Sequence, residues 1–121
     1  MVKALFDTNI LIDYLNGVPQ AKAELGKFSD NAISLITWME VMVGSTPETE
    51  DAIRGFLASF TRLPIDEDVA AMAVTLRKAR KIRLPDAIVW ATAQVNSRML
   101  VTRNTKDFEK DEPGIRVPYR L

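Results

Sequence analysis

The sequence predicts an α/β fold with a mainly parallel sheet, on three observations. Short apolar runs alternate with helical segments along the whole chain, the pattern of a parallel sheet covered by helices on both faces. Each run is no more than five residues long and is bounded by polar or turn residues, as buried strands are. At 121 residues, with 47% hydrophobic and 26% charged residues, the chain fits one compact domain spanning 1–121. No repeat, low-complexity tract or linker divides it.

In order, VKALF (residues 2–6) is the first strand and stops at Asp7. Thr8 or Asn9 can cap a helix from Ile10 to about Leu15, which ends at Asn16 and Gly17. Residues 19–27 form a second helix, and NAISL (31–35) a second strand. Thr37 is then read as the cap of a helix that runs through Val43 to Gly44. Residues 47–60 have the clearest amphipathic pattern, with Ile53, Phe56, Leu57 and Phe60 at i, i+3, i+4 and i+7. A brief strand over 62–65 follows. Asp66 opens a helix to about Lys81 with Ala70, Ala73 and Leu76 inward, and Pro85 stands at the first position of another, to about Arg98. MLVT (99–102) is the fourth strand and 116–118 a short edge strand.

Composition removes several chemistries. With neither cysteine nor histidine, there are no disulfides, thiolate metal sites, cysteine nucleophiles or Ser-His-Asp triads. Acid–base or metal chemistry must rest on carboxylates, which suit hard cations such as Mg²⁺ or Mn²⁺. Neither Gly-rich phosphate-binding signature is present. The 16 basic and 16 acidic residues balance, so bulk positive charge does not mark a nucleic-acid binder. No run approaches the roughly 18 apolar residues of a membrane span, and no signal-peptide pattern opens the chain, so a cytoplasmic protein is expected.

Sites in open α/β sheets form at the carboxyl ends of strands. Asp7 ends the first strand there, although a capping aspartate would look the same. Glu40 lies among apolar neighbours in SLITWMEVMVG; it is either a buried carboxylate, costing several kcal/mol unless paired or metal-bound, or the one solvated stripe of its helix. Asp86 starts the apolar helix LPDAIVWATA, where it also suits the helix dipole. Asp107 follows the fourth strand, with Asn104 between. Several acids on one sheet edge repel one another, and a shared cation relieves that repulsion.

These segments resemble the PIN-domain ribonucleases, in particular VapC-type toxins. FDTNILIDYLNG is similar to the family's first motif with Asp7, ISLITWMEVMVG to its second with Glu40, LPDAIVWATA to its third with Asp86, and MLVTRNTKDF to its fourth. The match keeps motif order across nearly the whole chain. It implies a parallel, roughly five-stranded α/β/α sandwich and a Mg²⁺- or Mn²⁺-dependent endoribonuclease that leaves a 5′-phosphate and a 3′-hydroxyl. Asp7, Glu40 and Asp86 would hold the metal. In the family the fourth carboxylate stands at the place of Asn104 or of Asp107; the first is an amide here, so Asp107 is the expected fourth acid and metal ligand, with Thr8, Thr102 and Asn104 as auxiliary candidates. The resemblance also implies a toxin–antitoxin pair with a VapB-type antitoxin, and a homodimer or toxin–antitoxin hetero-oligomer. A haloacid-dehalogenase-like phosphatase would need an aspartate where Asn9 stands.

RNA contact is expected from RKARKIR (77–83), in which Arg77, Lys78, Arg80, Lys81 and Arg83 lead towards Asp86, and from Arg103 with Lys106. Ordinary solvation of a helix end explains the same run. For the antitoxin, the surplus of apolar groups on the first helix (Ile10, Leu11, Ile12, Tyr14, Leu15) and around Trp38, Met39 and Met42 is the candidate groove, with Trp90 a candidate dimer contact. Core packing is the competing explanation.

Overall fold

Strand residues alternate between the two faces of this fold, and that alternation divides the core in two. The computed structural model describes residues 2–109 and 111–121. Five strands, β1 (Ala4–Phe6), β2 (Asn31–Ser34), β3 (Thr61–Leu63), β4 (Met99–Val101) and β5 (Ile115–Arg116), form one sheet in the order β3-β2-β1-β4-β5. Every neighbouring pair is parallel, with Leu5 opposite both Ala32 and Leu100. The expected mainly parallel sheet is therefore wholly parallel.

Six helices connect and cover the strands: α1 (Thr8–Leu15), α2 (Pro19–Leu25), α3 (Leu35–Val43), α4 (Glu50–Leu57), α5 (Glu67–Arg80) and α6 (Leu84–Val95). Leu5 and Leu100 join Val69, Ala73 and Leu76 of α5 and Val89 and Trp90 of α6 in one apolar cluster. Ala4, Phe6 and Val101 point the other way, onto Ile10 and Leu11 of α1, Ala21 of α2, Val41 of α3 and Leu57 of α4. Phe6 meets Phe28 and Phe60 edge-on, with ring centres 5.9 and 6.3 Å apart. β1 is thus buried on both faces, and the residue that follows it has little freedom of position.

Several boundaries differ from the sequence reading, each for a local reason. α1 starts at Thr8 because its cap is Asp7, whose Oδ1 accepts from the Thr8 backbone N–H at 2.7 Å. α3 starts at Leu35 because Ser34 caps it, through the Ile36 N–H; Thr37 is buried inside the helix. α4 is shorter than 47–60 because Thr46 and Thr49 close a hydrogen-bonded turn ahead of it. On α5 the inward residues are Val69, Ala73 and Leu76, while Ala70 is exposed. Trp90 is buried edge-on against Phe108, with Arg80 over its ring, so it cannot serve as a dimer surface. Among the described residues no helix is long and apolar enough to cross a membrane.

Candidate active site

β1 and β4 are neighbours, so the residues that leave their carboxyl ends, Asp7 and Thr102, meet. Thr102 donates its hydroxyl to Asp7 Oδ2 at 2.8 Å, and Asn9 Nδ2 lies 3.3 Å from both Asp7 Oδ2 and the Thr102 hydroxyl. The Asn9 side-chain oxygen Oδ1 in turn accepts from the Arg103 backbone N–H at 3.1 Å. Asp7 is therefore fixed by its own helix cap, a buried threonine and an amide. Asn9, a possible helix cap in the sequence reading, is the residue that ties the first and fourth motifs together.

Asp86 enters the same region from the first turn of α6, and Asp107 from the loop after β4. Asn104 holds that loop: its side chain donates to Asp107 Oδ2 at 3.0 Å and accepts from the N–H groups of Lys106 and Asp107. Asn104 thus acts on Asp107, and of the two candidates for the fourth position Asp107 alone brings a carboxylate. Glu40 reaches the region from α3 and accepts from the Thr8 hydroxyl at 2.7 Å. It is exposed, so the solvated-stripe explanation of this residue holds and the burial argument does not.

Asp7, Glu40, Asp86 and Asp107 line a single open cleft of about 820 Å³, together with Thr8, Asn9, Ile12, Arg83, Arg103 and Asn104. Its electrostatics are those of a site short of positive charge. Burial raises the Asp7 carboxyl above its ordinary range, against the hydrogen bonds from Thr102 and Thr8, and the Glu40 charge adds to the rise. Burial likewise pushes Asp86 up to about 6, helped by the closeness of the Asp107 carboxyl and by the Asp7 charge. Asp107 moves the other way, lowered first by its bond from Asn104. Carboxylates pushed apart in this way mark sites of proton or metal chemistry.

The donor set is all oxygen and anionic, which fits a hard divalent cation. Among the described residues no three acidic side chains yet converge on one point to enclose such an ion. The positive charge nearest Asp86 and Asp107 is Arg83, whose Nε donates to Asp86 Oδ2 at 3.1 Å and whose terminal nitrogen lies 3.6 Å from Asp107 Oδ2.

Of the basic residues expected to meet RNA, Arg83 and Arg103 line the cleft, as does Lys106. Arg103 is held by a network the sequence did not reveal. It donates twice to Asp13, at 2.6 and 2.9 Å, and Asp13 also accepts from the Tyr119 hydroxyl at 2.8 Å. Asp13 is buried on α1, hidden in the sequence because its neighbours are apolar. Arg80 and Lys81 border a neighbouring hollow of about 280 Å³, where Arg80 pairs with Glu112 at 2.6 Å. Arg77 and Lys78 line neither cavity and are exposed on the last turn of α5.

The proposed apolar groove is reduced to part of its length. Ile10 and Leu11 are core residues, and Tyr14, Trp38 and Met42 are half-buried. Ile12 and Leu15 of α1, with Met39 and Val43 of α3, remain exposed, Val43 at 85%.

Comparison with known proteins places this geometry in a family. The PIN domain matches residues 4–111. No curated protein matches the chain in sequence. Among solved structures, the chain is similar to a toxin–antitoxin complex from Klebsiella pneumoniae, with 50% identity, a TM-score of 0.93 and coverage of 98% of this chain and 99% of that one. It also resembles a DNA-bound VapBC from Salmonella typhimurium, at 29% identity, TM-score 0.79 and coverage of 99% and 98%. FitAcB from Neisseria gonorrhoeae matches at 26% identity, TM-score 0.82 and coverage of 98% and 99%. With its parallel five-stranded sheet and four motifs in order, the chain belongs to the PIN-domain family, and the solved structures it is similar to include toxin–antitoxin complexes.

Proposed function

We propose that this chain, a single PIN domain over 1–121, is a Mg²⁺- or Mn²⁺-dependent endoribonuclease acting in the cytoplasm as the toxin of a type II pair. The observation that carries the reading is the gathering of Asp7, Glu40, Asp86 and Asp107 around one cleft, two of them held above their ordinary pKa range. Asp7, Asp86 and Asp107 are the inner ligands in this reading, with Glu40 at the rim. When bound, the cation supplies charge stabilisation at the phosphoryl oxygens and a water acidic enough to be deprotonated near neutral pH.

The chain's own groups do the rest. Thr102 and Asn9 keep Asp7 in one orientation, and Asn104 does the same for Asp107. Asp13 takes the Nε and one terminal nitrogen of Arg103 and so fixes the guanidinium at the cleft, leaving its remaining N–H groups for a phosphate. The antitoxin, expected from the complexes the chain is similar to, would cover Ile12, Leu15, Met39 and Val43. α1 and α3 pack together, and Ile12 also lines the cleft, so a partner seated there would shade the site. Dimerisation of the toxin, or of the toxin–antitoxin complex, belongs to the same reading.

The deciding experiment is a calorimetric Mn²⁺ titration of the isolated chain beside an assay on labelled structured RNA. Saturable Mn²⁺ binding and RNA cutting that EDTA stops are expected. A folded sample that neither binds Mn²⁺ nor cuts RNA would leave a non-catalytic binding domain.

A further inference from the structure

Arg83 stands where a cation is needed, and the two kinds of group in that contact differ in freedom. Asp86 is anchored in the first turn of α6 and nearly buried; Asp107 is held by Asn104. The Arg83 side chain is 75% exposed, and its two partners are these two acids. The guanidinium is held from one side only and is otherwise open to solvent, so it is the mobile member of the contact. Its residue is the N-cap of α6 without a side-chain cap bond, so turning the guanidinium away leaves the helix start untouched.

We infer that Arg83 is a movable counter-cation: it occupies the space between Asp86 and Asp107 in the metal-free protein, leaves when a divalent cation binds, and then contacts an RNA phosphate. The inference rests on the metal-dependent reading above and adds to it an exchange of partners. A guanidinium and a divalent cation repel each other, so both cannot bridge the same two carboxylates. A swing outward takes Arg83 to the open side of the cleft, towards Arg103 and Lys106, which also line it. There its fork matches phosphate as well as it matched the acids. Metal and RNA then favour each other: metal frees the arginine for RNA, and RNA removes the competitor of the metal.

The test compares Arg83→Gln with Arg77→Gln. Arg77 is exposed at the end of α5 and outside the cleft, so this control removes the same charge from the same basic run. Mn²⁺ alone is titrated into each folded, full-length variant, with folding checked by circular dichroism. Arg83→Gln should bind Mn²⁺ roughly tenfold more tightly than wild type, the size expected from removing one nearby positive charge. Arg77→Gln should stay within about twofold. Binding of a labelled, cleavage-resistant single-stranded RNA at saturating Mn²⁺, followed against salt, should weaken in Arg83→Gln and lose about 0.7 from its log–log salt slope, and this difference should shrink in EDTA.

Equal Mn²⁺ affinity in Arg83→Gln and Arg77→Gln, with wild type binding normally, overturns the exchange and leaves the metal-dependent reading intact. Absence of Mn²⁺ binding in wild type and Arg83→Gln alike removes both. Binding that appears only in Arg83→Gln supports the exchange, with the arginine winning over the ion.

Discussion

Asp86→Asn should sharply slow RNA cleavage and at the same time raise the melting temperature of the metal-free protein. The two effects have one cause. Asp86 is a nearly buried carboxylate facing the charges of Asp7 and Asp107, so the folded state holds its proton to about pH 6, against 3.8 when unperturbed. Because its folded pKa is raised, this group's contribution to stability is fully present below pH 3.8 and is lost as pH rises through about 6. At pH 7.5 the asparagine removes that penalty. After discounting for solvent and for the lost pair with Arg83, the gain is about 1 kcal/mol, or roughly 4 °C for a domain of this size. Melting curves at pH 7.5 and pH 4 without metal provide the check, and the gain should vanish at pH 4. Cleavage should fall by about 10²–10³-fold, the loss of one ligand-type electrostatic contact in the transition state. A variant that melts lower at pH 7.5, or that keeps its cleavage rate, would show Asp86 to be a structural cap.

The second large effect lies away from the cleft. Arg116→Ala should destabilise the protein by about 3 kcal/mol, lowering the melting temperature by roughly 12 °C. Glu24 on α2 is 1% exposed and takes two hydrogen bonds from Arg116 of β5, the longer at 3.0 Å, with Lys27 at 3.3 Å. Those bonds hold its carboxyl below the ordinary range in spite of burial. Loss of the arginine leaves a buried charge with one exposed lysine, and such a half-pair costs more than the whole pair contributes. The double variant Glu24→Leu with Arg116→Leu should therefore recover most of the loss. Urea unfolding of both single variants and the double variant decides this; a double variant no better than Arg116→Ala would mean the ion pair itself is strongly stabilising.

How much of this could be read from the sequence depended on the period of the signal. The inner strands β1, β2 and β4 were legible because they fall in short apolar runs, and their placement put Asp7 at a strand end; the edge strands β3 (TRL) and β5 (IR) each carry an arginine and leave a weaker trace. Helix existence was legible too, but helix facing was not. Around Glu40 the residues Trp38, Met39, Met42 and Val43 are all apolar, so no stripe stands out, and the helix in fact turns Met39 and Val43 to solvent beside Glu40. On α6 the reverse occurs: it packs against α5 and the sheet, and buries Trp90 and even Thr92, whose hydroxyl bonds back to the Ile88 carbonyl. The polar network of the cleft was least legible. Asn9, Asp13 and Tyr119 act across sequence separations of 90 or more, through pairs such as Asp13 with Arg103 and Tyr119, for which a single sequence carries no periodic trace.

The two outermost strands carry a consequence for handling the protein. β3 has three residues and β5 two, and each is closely followed by a proline, Pro64 and Pro118. A strand so short offers another chain few unpaired amides, and the proline, lacking an N–H, keeps the free edge from being prolonged. The sheet thus ends on both sides in a form that resists recruiting further strands. Concentrated solutions should stay clear of fibrillar, sheet-on-sheet association, and any self-association should instead run through the exposed apolar side chains of α1 and α3.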